Sequence, residues 1–505
     1  NASMSPVSEI RGDMVPCPAM TGMRSVLAVA LVLIASPASA KTLELEACRI
    51  SDMRGLASVA ARCGKFAVPE DPDDPDGKRI ELAVAVVPAI ATRARPDPLF
   101  LLAGGPGQGA IEGFVPALDA FAGIHRERDL VMVDQRGTGG SNRLDCDMPD
   151  DALESDEISP AEITKLGKEC LAKLQGRPQF YTTSIAVRDL DAVRAALGYE
   201  RINLFGASYG TRVAQHYARR YPAHTRTITI DSIVPPALPL VPQIAIEAQR
   251  ALERVFARCA ADAECNARFP ALAGQFARVD ARLRRGPVAV SLPDPVTGEI
   301  GPVEVTRNHL VTMTRMLSYS ARTASLLPLL IHEAATRGNY GPLAAQALMA
   351  EEDLERMIAM GMHNSVVCSE DAPRFKGAVE RAALEKTYIG PVMVDGMSAL
   401  CAVWPRGAVD SDFHEPLHSK VPALLLSGEF DPATPPGYGT TAAAGFEHHL
   451  HIVIPGQGHG QTGLPCVQRL LRQFIESGSV AGLDASCVGD IKPAPFFLTF
   501  SGTAP

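Results

Sequence analysis

Among 48 lysines and arginines the chain has no basic run, and against 57 acidic residues it carries a formal charge of −9. Such a surface offers no electrostatic attraction to nucleic acid or to an anionic membrane face. No C-x-x-C pair and no Cys/His cluster has the spacing of zinc ligands, so no metal site is indicated. Neither G-x-x-x-x-G-K-[ST] nor a helix-opening G-x-G-x-x-G occurs, which excludes the common phosphate loops. No internal repeat recurs, so a solenoid is excluded. The stretch "EDPDDPDG" (Glu70 to Gly77) has acidic spacing but two prolines and no downstream glutamate at loop distance, and reads as a turn and not a calcium loop.

What is present is bulk. The 505 residues, 46% of them hydrophobic, are enough to bury a large core. Near the start, Met23 and Arg24 precede the apolar run "SVLAVALVLIA", and "SPASA" follows with small residues at Ala38 and Ala40. That order of basic, apolar and small residues is a secretory signal cleaved before Lys41, too short to span a membrane as a mature helix. Residues 1–40 are therefore expected to be the signal and upstream sequence, the mature protein to be exported (periplasmic or secreted), and no stable membrane anchor to remain. Ten of the eleven cysteines lie beyond it, from Cys48 to Cys487. An even number in an exported chain favours disulfides, and pairing neighbours in order gives 48–63, 146–170, 259–265, 368–401 and 466–487.

Short Val/Ile/Leu runs ending in turn residues punctuate the chain: "ELAVAVV", "PLFLLAGG", "DLVMVDQRG", "RINLFGAS", "TRTITIDS", "ALLLSGEFD" and "HHLHIVIPG". These are the marks of strands buried on both faces, and helical spacing between them, as in Ile185 to Leu197 and Thr211 to Arg220, predicts a doubly wound, mostly parallel α/β sheet. After "DSIVPP" the pattern turns helical as far as about Pro416, broken by one hairpin, "VAVSLPDPVTGEIGPVEV". Strands resume at Val421. The expected organisation is an α/β core over 41–234, a largely helical cap over 235–416 inserted after the sixth strand, and the rest of the core over 417–505.

"FGASYG" sets Ser208 between Gly206 and Gly210, after a strand and before a helix. That is the context of a nucleophile elbow, where flanking Cβ atoms would clash and the central residue projects its hydroxyl. A helix-capping serine with incidental glycines is the other reading of the bare motif. Serine needs a base, and the base an orienting acid. "ALLLSGEFDPATPP" supplies Asp431, with Glu429 as its competitor, and "HIVIPGQGHG" supplies His459, each just after a late strand and in the order Ser, acid, His. An oxyanion hole needs two preorganised amides. One is expected from Tyr209, after the nucleophile, and the other from "LLAGGPGQG", at Gly105 with Gly104 second.

Together "GGPG", "DQRGTGGS", "GASYG", "SGEFDPATPP" and "GHG" resemble the prolyl aminopeptidase and tripeptidyl aminopeptidase group of α/β hydrolases, in its exported bacterial TAP-like branch. The resemblance implies an α/β-hydrolase fold, a triad of Ser208, Asp431 and His459, oxyanion donors at Gly105 and Tyr209, and bracing roles for Asp134 and Arg136. Prolyl aminopeptidases carry His before the double glycine; here that position is Ala103, closer to the tripeptidyl type. Such enzymes bind a free substrate ammonium through cap glutamates. Glu370 and Asp371, beside Cys368, are the expected carboxylates, with Glu351 to Asp353 as rivals and Trp404 as a pocket wall or buried packing. The expected activity is an acyl-enzyme aminopeptidase without metal or organic cofactor, acting on a peptide or small acyl substrate with a free amino terminus. An esterase on the same triad and a non-catalytic binding protein on the same scaffold are the alternatives.

Overall fold

The computed structural model describes residues 43–146, 159–293 and 297–503. The signal segment and everything before it lie outside the described residues. Eleven strands occur among the described residues: β1 Glu46–Ser51, β2 Ser58–Pro69, β3 Arg79–Val87, β4 Leu99–Leu102, β5 Leu130–Val133, β6 Ile202–Ala207, β7 Thr225–Asp231, β8 Val288–Pro293, β9 Ile300–Val305, β10 Ala423–Gly428 and β11 His449–Ile454. Nine form one sheet in the order β1-β2-β3-β5-β4-β6-β7-β10-β11. From β5 to β11 every neighbouring pair is parallel, while β1, β2 and β3 extend the sheet antiparallel beyond β5.

Of the runs read as doubly buried strands, "LFLL", "LVMV" and "ALLLSG" are buried at every position, whereas β11, in "HHLHIVIPG", is an edge strand with His449 and Val453 exposed. The strands β1 and β2, at one end of the sheet, escaped the sequence reading because they are amphipathic, "EACRIS" and "SVAARCGKFAVP", with exposed polar positions interrupting any apolar run. With them counted, the helical block follows the seventh strand of the chain and not the sixth. Its return is direct: β10 pairs parallel with β7, Ala423 opposite Ile228.

Of the helices, seven position the site: α1 Thr183–Ala196, α2 Tyr209–Arg220, α3 Leu240–Ala261, α4 Arg307–Leu317, α5 Gly341–Met357, α6 Met360–Val366 and α7 Pro465–Ser477. The block between β7 and β10 buries its own core, including Leu252, Phe269, Val279, Leu310, Met313 and Leu330. The hairpin β8–β9 lies within it, antiparallel as expected. All five disulfides join neighbouring cysteines in order. Trp404 is packing: it is 3% exposed among the Cys146–Cys170 and Cys368–Cys401 bridges, and its indole N–H donates to the Ser365 hydroxyl.

Asp134 and Arg136 are braces. The Asp134 carboxylate accepts from the amides of Ile111 and Gly140, tying the loop after β4 to the loop after β5. Arg136, 1% exposed, holds Asp189 of α1 with two bonds of 2.6 and 2.8 Å and donates to the carbonyls of Pro69, Glu70 and Phe180.

Candidate active site

Loops at the carboxyl ends of β4, β6, β7, β10 and β11 meet on one edge of the sheet, where ligands of open α/β sheets bind. Ser208 stands there with φ 55° and ψ −124°, a conformation that L-residues hold only when the surroundings enforce it. The enforcement is steric. A Cβ on Gly206 would lie 2.3 Å from the Gly210 carbonyl oxygen, and one on Gly210 would lie 2.2 Å from the Leu102 carbonyl oxygen, so the turn closes only with glycine at both positions. Hydrogen bonds then lock it: the Ser208 amide donates to the Asp231 carbonyl at 2.9 Å, and the Thr211 hydroxyl donates to the Ser208 carbonyl at 2.6 Å.

Asp431 is 1% exposed and saturated with donors. One carboxylate oxygen accepts from the amides of Ala433 (2.9 Å) and Thr434 (2.8 Å), the other from the Thr434 hydroxyl (2.8 Å) and His459 Nδ1 (2.8 Å). Burial disfavours this carboxylate, but the His459 ring and the two amides outweigh it and hold its pKa below the ordinary range. For His459 burial opposes the imidazolium, yet the charge and hydrogen bond of Asp431, with Asp231 behind, raise its pKa. The competitor Glu429 is turned away, accepting from the Gly456 amide.

Two residues that the sequence reading passed over hold the histidine loop. Asp231, at the end of β7, accepts from the Gln461 amide at 2.6 Å, while its neighbour Ser232 accepts from the Gly460 amide at 2.8 Å. Burial pushes the Asp231 carboxyl up to about 6. Its signal was visible in "TIDS", an acid closing a strand just as in "SGEFD". The other is Tyr319, beyond α4, whose carbonyl accepts the His459 amide at 2.6 Å and whose ring meets the imidazole edge-on at 5.0 Å. No local pattern marks it.

The glycine loop after β4 approaches Ser208: a Cβ on Gly104 would lie 3.0 Å from Ser208 Cβ. The helical block braces this loop. Ala359 donates its amide to the Gly107 carbonyl at 3.0 Å, Gln108 bridges to Ile358, and His363 of α6 donates from Nδ1 to the Pro106 carbonyl at 3.2 Å. The Tyr209 amide opens α2 and so has no acceptor inside its own helix. Its side chain points into the protein, where the hydroxyl bonds Thr183 Oγ1 at 2.5 Å and accepts from Gln135 at 3.0 Å.

The acidic pair is buried and not solvent-facing as a turn would be: Glu370 is 0% and Asp371 3% exposed, in the wide helical turn continuing from α6, and Glu370 Oε2 makes no hydrogen bond among the described residues. Buried Arg212 of α2 already lies between them, 2.9 Å from Asp371 and 3.7 Å from Glu370, and Glu370 also accepts the Thr183 amide at 2.7 Å. Burial pushes Glu370 up to about 7 against the field of Arg212. A basic partner 159 residues away in sequence left no trace in the acidic motif itself.

Of the rival carboxylates on α5, Asp353 pairs with Arg54 and Glu352 with Arg356. Glu351 is half-buried, and among the described residues no cation pairs with it; burial and the neighbouring Glu355 push it up to about 7.

With this geometry in hand, comparison with known proteins is informative. Residues 97–285 match the model of the alpha/beta hydrolase fold, and residues 386–487 that of the TAP-like proteins. Serine protease Hip1 of Mycobacterium tuberculosis is 27% identical, over 91% of this chain and 96% of its own. Tripeptidyl aminopeptidase of Streptomyces coelicolor is 25% identical, over 86% of this chain and 84% of its own. Carboxylesterase B of M. tuberculosis is 28% identical, over 85% of this chain and 86% of its own.

Proposed function

Because this chain belongs to the TAP-like branch of the α/β hydrolases, and is a hydrolase by that membership, we propose that it is an exported serine aminopeptidase of short peptides. Ser208 attacks the scissile carbonyl while His459 takes its proton. Asp431 keeps the histidine proton on Nδ1, so that Nε2 is free to act as base. The oxyanion rests on the amides of Gly105 and Tyr209, which the glycine loop and the start of α2 hold in place. His459 then protonates the leaving amine, and water repeats the sequence on the acyl-enzyme. The observation that carries this reading is the 2.8 Å Asp431–His459 pair, its acid saturated by three further donors, on the sheet edge where Ser208 occupies a sterically enforced turn.

Recognition of the substrate ammonium falls to Glu351. It continues the face of α5 that carries buried Ala344 and Ala347, seven residues before Ile358, whose side chain reaches to within contact of Gly105 and Gly107. Seven residues of helix rise about 10 Å, and an extended three-residue acyl segment spans about the same at roughly 3.3 Å per residue. Tripeptide release fits that length. Export is supported by the five disulfides, which form and persist in oxidising compartments; among the described residues no helix is long and apolar enough to cross a membrane. The second reading, an esterase, draws its support from the carboxylesterase relative.

A matched panel separates them: free-amino and N-acetylated prolyl, alanyl and tripeptidyl anilides, with short p-nitrophenyl esters, on the wild type, Ser208→Ala and Glu351→Gln. The aminopeptidase reading expects cleavage of free-amino anilides, loss on acetylation, no activity in Ser208→Ala, and KM raised about tenfold or more in Glu351→Gln, as for a hydrogen bond to a charged group. Turnover of esters alone leaves a Ser208 hydrolase and refutes the aminopeptidase.

A further inference from the structure

The proposed catalytic edge contains one cation that the mechanism above does not use. Arg315 lies on α4, one turn before Tyr319, the residue whose carbonyl and ring hold His459. Its surroundings differ from those of the two fully buried arginines nearby. Arg136 has Asp189 and Arg212 has Asp371, whereas among the described residues no carboxylate pairs with Arg315. Its Nη2 reaches only the Tyr319 hydroxyl, at 3.5 Å, the outer limit of a hydrogen bond; its Nε, like that of Arg212, is buried with no acceptor among the described residues, but unlike Arg212 it has no carboxylate there on its other nitrogens.

Burial, with the field of Arg315 adding to it, disfavours protonation of His363, the ring bonded to the Pro106 carbonyl in the glycine loop. The Arg315 side chain lies beside Tyr319, partly open to solvent. In the free enzyme water solvates its open side. A substrate filling the site removes that water, and a guanidinium cut off from both water and counter-ion is strongly disfavoured. What restores the balance is an anion of matching shape. The planar fork of arginine is complementary to a carboxylate, and an unfilled Nε is one of the two donors that a bidentate bond would use.

We propose that Arg315 binds a carboxylate carried by the substrate, so that this hydrolase selects anionic over neutral substrates of the same length. The proposal rests on the reading of Ser208 and His459 as the reacting pair and is independent of whether the acyl group is a peptide or an ester. The carboxylate belongs either to the acyl part, as an acidic side chain or acid tail, or to the leaving part, as the free carboxyl terminus of a short peptide.

The test uses substrate pairs that differ by one carboxylate. For the acyl part these are the p-nitrophenyl monoester of glutaric acid and p-nitrophenyl butyrate. For the leaving part they are a tetrapeptide with a free carboxyl terminus and its amide. The readout is the ratio of kcat/KM within a pair, which cancels losses of folded protein. The wild type is expected to favour the anionic member of one pair, and that pair names the source of the carboxylate. Arg315→Met should lower this ratio about ten- to hundredfold, and Arg315→Lys, which keeps the charge but not the fork, should lower it less. A wild type without preference in either pair overturns the proposal. So does a ratio that Arg315→Met leaves unchanged, since Arg315 then only supports Tyr319. Turnover of both members that persists in Ser208→Ala is a different failure, that of the hydrolase assignment itself.

Discussion

Replacing Asp431 by asparagine isolates what the acid contributes. Its two oxygens are not equivalent: one sits 2.9 and 2.8 Å from the amides of Ala433 and Thr434, the other 2.8 Å from His459 Nδ1 and 2.8 Å from the Thr434 hydroxyl. In Asp431→Asn the amide oxygen must stay on the two backbone N–H groups, because an NH2 there would face two donors. The NH2 is therefore directed at His459 Nδ1, where it donates. That places the histidine proton on Nε2, the tautomer that cannot accept from Ser208. The fold and the substrate contacts remain, so the loss should fall on kcat, by about 10⁴, or about 5 kcal/mol at roughly 1.4 per decade. Steady-state kinetics on the best substrate of the panel measures it, with circular dichroism and thermal melting to verify folding. A loss of less than about tenfold, or one confined to KM, would refute the assignment of Asp431 as the acid that orients His459.

The pH profile gives a second prediction. His459 acts as a base only when neutral, so kcat/KM should rise with pH through its raised pKa, placing the ascending limb above the ordinary value of about 6.5. Asp231, pushed up to about 6, is ionised above that pH and helps hold the proton on His459; Asp231→Asn removes this charge and should move the limb to lower pH, by up to about one unit. A limb that stays in place or moves upward contradicts the field assigned to Asp231. Third, Arg212→Met leaves Glu370 and Asp371 buried without their countercharge and should cost about 3–5 kcal/mol in denaturant unfolding. Arg212 holds the Glu370 pKa down to about 7, so its loss raises that pKa further, and the part of the deficit due to Glu370 should shrink as the pH falls toward 7 and the variant's carboxyl is neutralised. A deficit below about 1 kcal/mol at pH 8 would mean that water, and not Arg212, balances the pair.

What could be read from the sequence was local and periodic. Strands buried on both faces are continuous Val/Ile/Leu runs, and the turns after them here carry glycine or an acid, so β3 to β7, β10 and the candidates Ser208, Asp431 and His459 were legible without coordinates, as was β11 from its apolar run although it is a half-exposed edge strand. The elbow announced itself because only glycine fits at Gly206 and Gly210. Disulfide connectivity is not readable from the sequence; pairing neighbours in order is an expectation from short loops, and the bridges do close loops of 6 to 33 residues. The strands β1 and β2 at one end of the sheet were not legible, since their mixed exposure mimics a polar segment.

Tertiary structure alone decided the pairings between distant residues. It buried Glu370 and Asp371 beside Arg212, while among the described residues no cation pairs with Glu351. It brought Tyr319 to the histidine and Ile358 and Ala359 to the glycine loop, so that the helical block helps build the site that the sheet carries. A charge in a sequence declares its sign but not its partner. The partner is set when elements more than a hundred residues apart pack, and only then does a carboxylate or a guanidinium become either satisfied or available.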